Sequence, residues 1–177
     1  QGVSSAASDV YKRQKLQDLS EANLLCEASD YLDVKHLSDA DGPLPWPLTG
    51  SLYGLCRRPL VSLPTALGNR SFKNIIFLVD TGAPITELSP HAFEALLGGA
   101  AEAIPTSTTA KLNGQRHQVY LCAPAGNHPD IPVLGGDAMA ALGLELRINY
   151  VTSTVTLLKV RSQAVCDGPC WHASIGR

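Results

Sequence analysis

Five apolar residues, Ile75-Ile76-Phe77-Leu78-Val79, run directly into Asp80-Thr81-Gly82-Ala83. A strand with one wet face alternates apolar and polar positions; this one is apolar at every step, which suits burial on both faces. The chain around it must therefore supply cover on two sides. A carboxylate follows at once, in a turn that Thr81 and Gly82 make tight. Gly82 lets the backbone reverse sharply and approach a ligand closely. The Thr81 hydroxyl can donate or accept a hydrogen bond. An acid at the rim of a core, held by a turn, is a candidate for chemistry.

The surrounding pattern is mostly strand. Pro59 to Leu67 reads as a strand that Pro64 makes an edge or an interrupted one. Gly68-Asn69-Arg70-Ser71 is a turn, and Phe72 to Val79 the next strand. Ser89 is a good N-cap, Pro90 fits the first helical position, and Gly98 can end the helix left-handed. Thr106 to Leu112 and Gln115 to Cys122 flank Asn113-Gly114, a strong hairpin signal. Asp130 to Leu134 is a short strand, and Asp137 can cap a helix over Ala138 to Leu142. Leu144 to Asn149 and Thr152 to Val160 make a final hairpin. The expected class is mainly β: a single closed barrel-like lobe with two short helices and irregular arms at both ends.

The 177 residues suit one domain of ordinary size, and the expected lobe spans 58–160. Residues 1–14 (QGVSSAASDVYKRQ) resemble translated adapter sequence and are set apart as non-native or disordered. Residues 15–57 read as an arm with a weak helix over 15–36 and a linker at Gly42-Pro43-Leu44-Pro45-Trp46-Pro47. Residues 161–177 form a tail. Apolar residues make up 45% and charged residues 17%, enough to build a core. With 14 Lys+Arg against 16 Asp+Glu and no long basic run, a dedicated nucleic-acid binder is not expected. No apolar run reaches the roughly 20 residues that span a bilayer.

A second motif stands downstream: Ile131-Pro132-Val133-Leu134-Gly135-Gly136-Asp137. Together the two motifs resemble the retropepsin-like aspartic proteases, the retroviral and retrotransposon type. There an apolar strand enters Asp-Thr-Gly-Ala, and a later apolar strand enters Leu-Gly-x-Asp. The likeness covers about 58–160.

The resemblance implies an aspartic endopeptidase with half a site per chain. Asp80 would be catalytic, and Thr81, Gly82 and Ala83 would support it. A second copy would supply the other carboxylate in a two-fold homodimer. Two carboxylates about 3 Å apart share one proton. The ionised one acts as base on water and the protonated one donates to the peptide carbonyl. No metal or cofactor is implied. Substrate would bind as an extended peptide strand. Leu112, Asn113, Gly114 and Gln115 would be the flap over it. Leu134, Gly135 and Asp137 are the structural signature.

Two departures stand out. Pro84 occupies a position where the family commonly has a polar residue, and the stretch between Asn113 and Leu134 is short enough to lack a hairpin. They favour an alternative: an inactive domain of the same fold serving as a structural or binding subunit of a larger assembly. The arms suit that alternative. Cys26, Cys56, Cys122, Cys166 and Cys170 are too scattered for a disulfide framework, which favours a reducing compartment. Cys166, Cys170 and His172 do not have standard zinc spacing. His91, His117 and His128 form no pattern with a nucleophile.

Overall fold

The structure, a computed structural model, describes residues 19–99, 104–124 and 128–160. Two short helices open it, α1 (Glu21–Leu25) and α2 (Glu27–Leu32). Strands β1 (Asp39–Ala40), β2 (Leu48–Tyr53), β3 (Arg58–Leu67), β4 (Phe72–Val79) and β5 (Glu87–Leu88) follow. Then come α3 (Pro90–Leu97), β6 (Ser107–Leu112), β7 (Gln115–Leu121), β8 (Val133–Leu134), α4 (Gly136–Ala141), β9 (Leu144–Asn149) and β10 (Thr154–Lys159). The fold is mainly β with a few short helices. The proposed segment 1–14 and the tail 161–177, with Cys166, Cys170 and His172, lie outside the described residues.

Pairing runs β1-β4-β8-β5-β7-β6-β3-β2-β10-β9, and β3 also pairs with β4. That last pairing returns the sheet to β4, so β4, β8, β5, β7, β6 and β3 close a six-stranded barrel. Closure removes most of the exposed strand edge. β2, β10 and β9 continue as a flap of sheet from β3. The sheet thus includes Leu48–Tyr53, which lies upstream of Arg58 in the segment that the sequence assigns to the arm.

The pleat explains the unbroken apolar run of β4. Ile75, Phe77 and Val79 point into the barrel core with Phe93, Leu112 and Leu134. Ile76 and Leu78 point outward, where Leu19, Leu24 and Ala28 of the arm cover them in a second cluster with Tyr53, Leu60 and Ile131. The arm is therefore the second cover that the sequence of β4 requires. The Tyr53 hydroxyl, donating to Glu27, ties α2 to β2.

Pro64 does not mark an edge. β3 is continuous and lies between β4 and, in turn, β2 and β6. Pro64 faces Asn74, whose amide donates to Ser38 and whose carbonyl accepts from Leu37. Both groups of Asn74 turn away from β3, so β4 asks no donor of Pro64. β3 also changes neighbours here, since β2 pairs only as far as Leu60 and β6 starts at Thr65.

The punctuation residues act as their chemistry suggests. Ser89 caps α3 by accepting from the Ala92 amide, and Gly98 ends it at φ 70°. Asn113 and Gly114 take φ 45° and 83° in the β6–β7 turn.

Candidate functional site

Asp80 follows the last residue of β4, where that strand runs parallel to β8. Its amide donates to the Leu134 carbonyl at 3.1 Å, extending the β4–β8 ladder to the acid itself. The chain then reverses. The Ala83 amide donates to the Asp80 carbonyl at 3.1 Å, and the Gly82 amide to Asp80 Oδ1 at 2.9 Å. One carboxylate oxygen is thus oriented by its own turn. A Cβ on Gly82 would stand 3.2 Å from Asp80 Oδ1. Asp80 is half-buried, Thr81 and Gly82 are exposed, and Ala83 is half-buried. The turn is a presented acid, held from beneath and open above.

The second motif is the support. Gly135 has no room for a side chain: a Cβ would fall 2.3 Å from the Ile85 carbonyl oxygen. The Gly136 amide donates to the Ala83 carbonyl at 2.8 Å, joining the two motifs directly. Thr86 is fully buried between them. Its hydroxyl donates to Asp137 Oδ1 at 2.6 Å and accepts from the Gly135 amide at 3.1 Å.

Asp137 is not the helix cap; Gly135 holds that position, and Asp137 lies in the first turn of α4. Its carboxylate gathers Thr86, the Ala138 amide at 2.7 Å and His117 Nε2 at 3.0 Å. Burial alone would push its carboxyl up; the hydrogen bonds from Thr86, His117 and Ala138 outweigh that and hold it below the usual range. Thr86 escaped the sequence reading, and His117 entered it only as one of three scattered histidines. The one trace of His117 is strand alternation, which puts it on the same face as buried Val119.

The structure brings Asp80, Thr81, Gly82 and Ala83 together with Leu134, Gly135 and Asp137. It does not bring the hairpin tip to them. Thr65 pairs with Leu112 on one side and Lys73 on the other. Lys73 precedes Asp80 along β4 by a contour of about 20 Å, at roughly 3.3 Å per residue. The tip is also tied down there. Asn113 is buried; its amide donates to the Pro64 carbonyl at 2.7 Å. Its side chain accepts from the Leu44 amide at 2.6 Å and donates to the Leu44 carbonyl at 3.0 Å. Leu112, Asn113, Gly114 and Gln115 therefore anchor the arm at the far end of the barrel and do not cover the acid.

Cys122 is buried, and burial foremost, then the charges of Glu87 and Asp130, push its thiol up to about 12. Such a thiol is not a nucleophile near neutral pH. Among the described residues no group of three or more His, Cys, Asp or Glu could hold a metal ion, and no helix is long and apolar enough to cross a membrane. No family model and no curated protein matches the chain.

Proposed function

We propose that the protein is an aspartic endopeptidase of retropepsin type, in which Asp80 from each of two copies forms the catalytic pair. The observation that carries this reading is the Asp80 turn, a carboxylate oriented by the Gly82 amide and bonded through its backbone to Leu134. In the mechanism one carboxylate is ionised and its partner holds a proton. The ionised one takes a proton from water as the oxygen attacks the peptide carbonyl, and the other donates to the carbonyl oxygen. The tetrahedral intermediate then expels the amine, which takes up a proton, giving one acid and one amine per water consumed. Proton traffic stays within the pair, so no metal or cofactor is needed. An extended peptide is the substrate class that a sheet-lined site favours.

The test is peptide cleavage at mildly acidic pH. Asp80→Asn is expected to lower the rate on the order of a thousandfold. Its side chain is half-exposed, so the fold should remain intact. Equal rates in both forms would rule the chemistry out.

A second reading, a non-catalytic subunit of a larger assembly, is favoured by one observation. The hairpin that was expected to close over substrate is bonded to Leu44 and Pro64 instead. A wild-type protein that pairs with itself yet cleaves no peptide would select that reading.

A further inference from the structure

Two cations stand opposite each other on the outside of the barrel. Lys111 of β6 pairs directly with Arg116 of β7, a register that brings their Cβ atoms to about 5 Å. Like charges directly opposite in a sheet are destabilising. Among the described residues neither of these two forms an ion pair, whereas Lys73 is matched with Asp39 and Arg147 with Glu145. The whole chain carries a formal charge of −2, so acids are not scarce. On its other side Lys111 pairs with Ala66, a buried residue with no polar side chain to offer it. With Thr109 and with Gly68 and Asn69 of the β3–β4 turn, the two cations line a cleft of about 180 Å³. Arg70 follows in that turn and fastens it to α3, its Nη1 donating to the Leu97 carbonyl at 2.6 Å.

Every polar side chain at this cleft can donate: Arg116 a planar fork, Lys111 an ammonium, Thr109 a hydroxyl and Asn69 an amide. No described residue lining it is acidic. The cleft is smaller than the roughly 300 Å³ at which pockets for drug-sized ligands begin, so it suits one compact group. We propose that it binds the phosphate of a phosphomonoester. Near neutral pH that group carries a charge of about −1.5 to −2 and three acceptor oxygens, which match two cations with a hydroxyl and an amide beside them. The Arg116 fork takes two oxygens side by side, and the Lys111 ammonium takes the third as a point charge. A carboxylate brings one charge and two oxygens and leaves one cation unanswered. The ligand thereby supplies the negative charge that the sheet itself withholds. A free small phosphomonoester and a phosphorylated side chain of a peptide both present this group. The cleft lies with the β6–β7 turn at the end of the barrel remote from Asp80, so it goes beyond the proposed chemistry and does not depend on it.

The experiment is isothermal titration calorimetry near neutral pH at constant ionic strength. The probes are inorganic phosphate, a phosphoserine peptide of otherwise neutral sequence, the same peptide unphosphorylated, and acetate. Wild type should bind phosphate with a Kd on the order of 1 mM, while acetate and the bare peptide give no saturable heat. A phosphopeptide that binds about tenfold tighter than phosphate, or more, makes a peptide the source; equal affinity makes it a free phosphomonoester. Lys111→Gln and Arg116→Gln should each weaken phosphate on the order of tenfold. Arg116 is exposed and Lys111 half-buried, and either change relieves the facing charges. Each variant should therefore unfold at the same or a higher denaturant midpoint in phosphate-free buffer. Phosphopeptide affinity should fall as pH drops through about 6, where its phosphate gains a proton and loses a negative charge. Acetate binding as tightly as phosphate, variants that bind phosphate like wild type, or no saturable phosphate binding by about 20 mM would each overturn the site.

Discussion

His36 is the residue whose surroundings ask most of it. It is 1% exposed, its Nδ1 accepts from the Ile76 amide at 2.9 Å, and its Nε2 meets no partner among the described residues. It stands in for a strand beside β4, in the gap between β1 and β8, where Ile76 would otherwise keep an unmet donor. Burial pushes its ring down to about 4, from 6.5. The unfolded chain therefore takes up a proton near pH 6.5, and the folded one only near pH 4. The stabilisation from neutral His36 is whole above pH 6.5 and is lost as pH falls toward 4, a difference of about 3 kcal/mol. Denaturant unfolding at pH 7 and pH 4.5 should show the loss in wild type. His36→Gln keeps an acceptor that does not titrate, and it should flatten that part of the pH dependence. Identical slopes in the two proteins would contradict this account. The sequence gives no hint of this role, because a lone histidine ahead of a polar turn looks like surface. Only the return of the arm across β4 buries it.

At the scale of elements, local chemistry was legible and pairing was not. Ser89, Pro90 and Gly98 bound α3, and Asn113-Gly114 turns β6 into β7, as residue preferences indicate. β4 was legible for a different reason: its composition demands two covered faces, and it has them. Pro64 misled, because the cost of a missing donor depends on which way the neighbouring strand turns its own groups, and no single strand reveals that. β2 was hidden by the prolines before it. The β6–β7 turn was recognised as a turn, yet its partner, Leu44, lies far off in sequence, and a long-range tie of this kind leaves no local mark. Asn113→Ala tests that tie. It removes both bonds to Leu44 and leaves Ala at φ 45°, a left-handed conformation that Asn tolerates better. The expected cost is about 2 kcal/mol, read as a lower denaturant midpoint with unchanged slope. Peptide cleavage per folded molecule should not change, since the turn is remote from Asp80. A loss of cleavage without a loss of stability would restore the turn to the site.

For the whole molecule, the barrel, the arm and the acid form one dependency. The barrel closes through β3–β4, the arm buries the outer face of β4, and β4 delivers Asp80 beside Leu134. The two motifs that carry the resemblance meet in space: the Gly136 amide reaches the Ala83 carbonyl, and Thr86 joins Asp137. That meeting was implied by the sequence only through resemblance, since nothing in either motif alone fixes its distance from the other. The proposed pairing of two copies belongs to this scale as well. Subunit mixing tests it most directly. Wild type and Asp80→Asn are combined in equal amounts, allowed to exchange, and assayed for peptide cleavage against the same total of wild type. A site built from one Asp80 of each copy leaves only the wild-type pairs active, so the rate should fall to about one quarter. A rate of about one half, the simple dilution of a site complete in each chain, would contradict the account.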